Sequence, residues 1–180
     1  MNMNVIAKLT NEDFGLEPKQ MENYHTRKAS RGIVIREDGK IAIQNKSNKN
    51  EYKLVGGGIE GNEDPSIAFK REVLEEAGCE VEIVEQLGII EEERSEINLK
   101  QISYIFVARV TNDTHKLNLT EKEKNEGAKL LWVEPREALD LIINCYDKLL
   151  PSDYENVYAT RFVVTRDRKI LEYYLANTRT

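Results

Sequence analysis

Two cysteines, two histidines and four prolines are all that the 180 residues hold of those types. Two cysteines cannot build a disulfide framework, so Cys79 and Cys145 read as core thiols in a reducing compartment. His25 and His115 stand alone, without metal-ligand spacing or a partnered nucleophile, and each reads as a surface residue. No apolar run approaches the length of a membrane span. The opening Met-Asn-Met-Asn-Val-Ile-Ala-Lys has no long apolar core, so it does not read as a signal peptide, and a cytoplasmic protein is expected. Excess positive charge is also missing: the net charge is −6. That argues against general binding of nucleic acid or anionic membranes. It leaves room for a small phosphate substrate, because a bound metal can carry the local positive charge. The chain has no Gly-x-x-x-x-Gly-Lys-Ser/Thr loop, no paired-cysteine motif, no repeat and no low-complexity stretch.

A hydrophobic content of 40% supports a real core, and the length suits one domain. The stretch from Gly56 to Cys79 organises it. Gly56, Gly57 and Gly58 let the backbone approach a ligand closely. Asp64 before Pro65 is a helix start, and Gly78 is a helix stop. At about 100° per residue, Ile67, Phe69, Val73, Leu74 and Ala77 share one face of that helix. Glu72, Glu75 and Glu76 lie opposite, as neighbours at i, i+3 and i+4. Like charges at that spacing cost a few tenths of a kcal/mol per pair. A divalent cation removes the cost, and Mg²⁺ accepts such oxygen ligands. A solvated acidic face is the plain alternative for any three acids on a helix.

The longer spacing favours the cation. Gly57, five residues, Glu63, seven residues, then Arg71-Glu72-Val73-Leu74-Glu75-Glu76-Ala77-Gly78-Cys79 resembles the Nudix box of the Nudix hydrolases at every defined position. The resemblance runs from about Ser30 to Ile143 and is specific mainly in the box. It implies an α+β fold, with a mixed β-sheet sandwiched between α-helices. It further implies hydrolysis of a pyrophosphate bond in a nucleoside diphosphate linked to another group, with Mg²⁺ or Mn²⁺ as cofactor. Glu75 and Glu76 would be the chief metal ligands, Glu72 a third, and the Gly56 carbonyl a further one. Arg71 would orient the box carboxylates, a task that suits its fixed fork. Glu63 would support the loop–helix junction. Gly57 and Gly58 would meet the substrate. Many family members have proline where this chain has Val55, which alters the loop's entry but removes no ligand. A homodimer is common among family members. A catalytically silent nucleotide-binding sensor with the same fold is the alternative function.

A carboxylate outside the box often completes the site as ligand or general base. The loop before Trp132 is its natural source. Glu126 is the first candidate, Glu123 the second and Glu91–Glu93 the third. Tyr52 and Lys53, just before the glycine run, are candidates for contact with the substrate's base or phosphate. Tyr52, Tyr104 and Phe106 otherwise read as core.

Along the chain, residues 1–28 read as an N-terminal arm, 29–150 as the catalytic domain and 151–180 as a helical extension packed on it. Strands are expected over 31–36, 41–45, 80–90, 100–110 and 129–133. The acidic run 91–98 reads as a loop or strand end, and 111–126 as a long polar connection. Helices are expected over 136–149, ended by Pro151, and after a cap at Thr165-Arg166-Asp167.

Overall fold

The computed structural model describes residues 3–178. Seven strands form one sheet: β1 (Val5–Leu9), β2 (His25–Ile35), β3 (Ile41–Lys46), β4 (Glu51–Gly58), β5 (Cys79–Arg94), β6 (Leu99–Asp113) and β7 (Ala128–Val133). Four helices accompany them: α1 (Pro65–Ala77), α2 (Glu121–Asn125), α3 (Pro135–Cys145) and α4 (Val157–Asn177). The strand order is β1-β5-β6-β2-β4-β3-β7. β1 runs parallel to β5 and β2 parallel to β6, while the other pairs are antiparallel. The fold is therefore an α+β sandwich around a mixed sheet.

Strand alternation divides the core into two layers. Ile33, Leu54 and Ile105 point to the side covered by α3 and α4. Their chain neighbours Val34, Val55 and Phe106 point to the other side, where α1 packs. Phe69 of α1 stacks on Phe106 of β6 with ring centroids 5.5 Å apart. Filling such a site with a phenyl ring stabilises by a few kcal/mol.

Several elements differ from the sequence reading. Of the two readings of the acidic run, residues 91–94 take the strand end and not the loop: β5 continues through them, because β6 pairs with it as far as Arg94↔Leu99. α4 begins long before Thr165. Asn156 caps it by accepting the Ala159 amide, and Thr165 lies in mid-helix. α3 ends at Cys145, before Pro151, and continues as a 3-10 turn. Residues in the expected arm form β1 and the start of β2, so they belong to the sheet. Residues 1–2 of that arm and 179–180 of the extension lie outside the described residues.

The buried face of α1 is also rotated from the expected one. Ile67 and Leu74 are 59% and 42% exposed, whereas Ala68 is fully buried and Glu76 is 3% exposed. Ala68 is small enough to let the helix sit close to the sheet on its acidic side. Among the described residues no helix is long and apolar enough to cross a membrane.

Candidate active site

The box helix is fixed at both ends by local chemistry. The Asp64 carboxylate accepts the Ser66 amide at 2.8 Å, Pro65 supplies the first helical φ, and Gly78 closes the helix in the left-handed region at φ 65°. The glycine loop is the end of β4, held against β2 by the pairs Ser30↔Gly57 and Ala29↔Gly58. Gly56 sits at φ 140°, a conformation open to glycine, and aims its N–H at Glu76 Oε2, 2.8 Å away. A Cβ on Gly57 would lie 2.5 Å from the Glu72 carboxylate. Gly57→Ala is therefore expected to push Glu72 aside. Overpacking of this kind costs about 1–3 kcal/mol, which predicts a Tm lower by roughly 2–10 °C in a thermal melt, with reduced turnover. Parent-like values of both would show that Glu72 yields freely.

Arg71 is committed to its neighbours. Its Nε and Nη2 donate to the two Glu63 oxygens at 3.0 and 2.9 Å. Nη1 donates to Glu72 at 2.9 Å and to Glu75 at 3.4 Å, and Nη2 also reaches the Gly58 carbonyl at 3.0 Å. Bonding to Glu63 and then Glu72 holds its pKa above the usual guanidinium range, against the effect of burial. One fork thus ties the loop, Glu63 and two box acids together.

Glu76 is the buried acid of the set. Lys53 Nζ stands 3.5 Å from it. Burial pushes its carboxyl up to about 7; Lys53 opposes that rise, and the facing Glu123 adds to it. Burial also lowers Lys53. Glu75 is raised by burial and then by Glu72. Glu123 behaves oppositely. Burial would raise it, but bonding to Glu76 and to Thr120 leaves it below the usual carboxylate range. Its position is set by a capping box at the start of α2, where Thr120 and Glu123 bond reciprocally.

These groups line one cleft of about 260 Å³. Glu72, Glu75, Glu76 and the three glycines form one side, and Thr120, Lys122 and Glu123 contribute from the α2 segment. Glu126 is not in it. That side chain is 1% exposed, lies 2.7 Å from Lys46 Nζ and 3.9 Å from Lys49 Nζ, and accepts the Ser152 hydroxyl. The Glu126 amide extends the turn of α2, which directs its side chain to those lysines. Tyr52 packs against the α3/α4 core and does not line the cleft. Glu91, Glu92 and Glu93 do not line it either: Glu92 is buried against Arg94 and Gln101, and Glu93 pairs with Lys8. His25 and His115 are exposed, and Cys79 and Cys145 are free, buried thiols. Lys53 lines the cleft beside Glu76.

The sequence reading did not anticipate Arg27, Arg31, Arg94 and Arg166, which line the far end. No local signal marked them: Arg31 stands after Lys28-Ala29-Ser30 at the head of an apolar run, and Arg166 opens the charged run Arg166-Asp167-Arg168-Lys169. Burial and then Arg166 push Arg31 down to about 10.

Among the described residues no three His, Cys, Asp or Glu side chains converge into a ready-made cation cage. The donor chemistry nonetheless fits a hard divalent ion. Every candidate is a carboxylate or a carbonyl oxygen, with no thiol or imidazole among them. The uneasy Glu76–Glu123 pair is the arrangement that a cation relieves.

The fold and the cleft define a class, the Nudix proteins. The NUDIX domain model matches residues 25–152, and the chain belongs to that family. A MutT-like protein of Streptomyces ambofaciens is 26% identical over 115 residues, covering 64% of this chain and 68% of that protein. Diphosphoinositol polyphosphate phosphohydrolase 2 of Rattus norvegicus is 30% identical over 110 residues, covering 61% of this chain. The match spans 57% of the length of that relative. Among solved structures, a NUDIX hydrolase from Nitrosomonas europaea superposes with a TM-score of 0.60 at 17% identity, covering 86% of this chain and 92% of that one. The E. coli ORF135 protein gives 0.52 at 21%, covering 88% and 94%. Likenesses this distant speak for the fold.

Proposed function

We propose that the protein is a divalent-cation-dependent pyrophosphohydrolase that cleaves a nucleoside diphosphate linked to another group. One observation carries the reading. The box acids and Glu123 enter the same cleft from different elements, α1 and α2, beside a glycine loop that admits close approach. Glu72, Glu75, Glu76 and the Gly56 carbonyl would hold Mg²⁺, or Mn²⁺ in its place. When bound, such an ion neutralises phosphate oxygens and lowers the pKa of water. Arg71 keeps the box acids in place and leaves the substrate untouched. Lys53 offers its ammonium to a phosphate oxygen. Glu123, held by the Thr120 amide and hydroxyl on Oε2, takes a proton from the attacking water on Oε1. Its place off the box helix suits an attack held from a second direction. The role first assigned to Glu126 passes to Glu123 in this scheme, because the cleft includes one and not the other. Free buried thiols suit a cytoplasmic setting.

A metal titration in a thermal melt tests the cation site directly. Mg²⁺ binds the folded site better than the unfolded chain. At one hundred times Kd it therefore stabilises by about 2.7 kcal/mol, a Tm rise of roughly 5–10 °C. Glu75→Gln/Glu76→Gln should show a much smaller rise. Equal rises in both proteins would place the ion elsewhere.

A further inference from the structure

The far end of the cleft holds a cluster that this reaction leaves unused. Arg31 of β2, Arg94 of β5 and Arg166 of α4 meet there at 4%, 3% and 1% exposure, with Arg27 at the mouth. Two carboxylates face them. Glu92 lies 2.9 Å from Arg94 and 3.5 Å from Arg166. Asp167 lies 2.8 Å from Arg166 and 4.0 Å from Arg31. Glu155, also at the cleft, is taken by Lys49 at 2.7 Å. Four guanidiniums face these two carboxylates, and Glu51, Glu126 and Glu155 stand against Lys46 and Lys49, which leaves a net charge of +1 (6 − 5).

The donors are incomplete as well. Nε and Nη1 of Arg31, Nε of Arg94 and Nη2 of Arg166 are buried with no hydrogen-bond partner among the described residues. Asp167 is already occupied by the Leu54 amide and Arg166 Nε, and Glu92 by Gln101 and Arg94. Buried donors without acceptors are rare, and a buried cation without a full partner is costly. Among the described residues no aromatic side chain lines the cleft, and Val163 is its single apolar one apart from the glycines. The far end thus offers charge and forked donors and no stacking surface.

We infer that this arginine pocket binds a phosphate monoester carried by the substrate in addition to the pyrophosphate that is cleaved. A phosphate's negative charge meets the positive balance, and its oxygens match the unpartnered guanidinium donors. Preferred substrates are then pyrophosphates that bear a further phosphate, selected by charge. The substrate half of this statement rests on the pyrophosphohydrolase reading; the anion site stands without it.

Two measurements test it. In the first, thermal melts without divalent metal compare inorganic phosphate with chloride at equal ionic strength, on the parent, Arg31→Met and Arg27→Gln. Phosphate should raise the parent Tm, and the rise should at least halve in both variants. Arg31→Met should keep or raise the Tm in chloride, since it removes an under-paired buried cation. Arg27→Gln changes an exposed side chain whose buried tie is one 3.2 Å bond to Gln101, and keeps the test sound if Arg31→Met fails to fold. Equal phosphate-induced rises in the parent and Arg27→Gln would overturn the pocket. In the second, ADP-ribose and ADP-ribose 2′-phosphate are compared as substrates with Mg²⁺. The parent should prefer the phosphorylated one by about tenfold in kcat/KM, mainly through KM, and Arg27→Gln should lose that preference. Equal values in the parent would overturn the substrate assignment. Hydrolysis of neither would overturn the substrate assignment without touching the pyrophosphohydrolase reading, and the melts alone would then decide the pocket.

Discussion

Glu76→Gln is expected to lower kcat/KM by about 10²-fold or more while the fold survives. Glu76 is the box acid that reaches deepest, with its Oε2 on the Gly56 amide and Lys53 and Glu123 beside it. Glutamine keeps the shape and still accepts the Gly56 N–H, but it removes the charge that would hold a cation. Stability should move the other way. The folded-state carboxyl sits at about 7, above its ordinary value of 4.5. Ionising it as pH rises through 7 therefore weakens the metal-free fold. Glutamine resembles the protonated acid and escapes that loss. Above pH 8 and without metal, the variant's Tm should equal or exceed the parent's. Activity within a few fold of the parent at saturating Mg²⁺ would remove Glu76 from the site.

The second large effect separates two acids only three residues apart. Glu126→Gln should destabilise without touching the chemistry. It leaves the Lys46 ammonium, 7% exposed, without its 2.7 Å partner. Breaking a buried pair on one side costs about 3–5 kcal/mol, so a Tm fall of roughly 6–15 °C is expected, with kcat nearly unchanged below the melt. Lys49 keeps Glu51 and Glu155 and limits the damage. Glu123→Gln should do the reverse. Turnover should fall by about 10²–10⁴ as the proton acceptor is lost, with KM little changed. The melt should shift by about 1 kcal/mol or less, because an amide oxygen can still cap α2. A dead Glu126→Gln beside a parent-like Glu123→Gln would return the base to Glu126.

The contrast between these acids shows where sequence was informative. The helix α1 was legible because its limits are written locally, in Asp64-Pro65 and Gly78. The sheet was legible where alternation is strong, as in β6. The facing of Glu123 and Glu126 was not. Glu123 lies within a five-residue helix and Glu126 caps its C-terminus, and the capping box of that helix decides which acid turns to the cleft. A polar connection read without that turn treats both alike. The rotation of α1 was hidden for a similar reason. Periodicity placed Ile67 and Leu74 inside, but tertiary bonds of Glu76 to Gly56 and Lys53 draw the acidic side inward. Lastly, the arginine pocket joins β2, β5 and α4, and no local pattern announces a meeting of three distant segments.

Release of product from a panel of nucleoside diphosphate derivatives, with and without Mg²⁺, tests the central claim most directly. The account predicts metal-dependent cleavage of a pyrophosphate bond in at least one member, abolished by chelation and largely lost in Glu76→Gln. Ligand-induced rises in Tm with no product from any member, at any Mg²⁺ concentration, would contradict it and leave a binding protein with a Nudix fold.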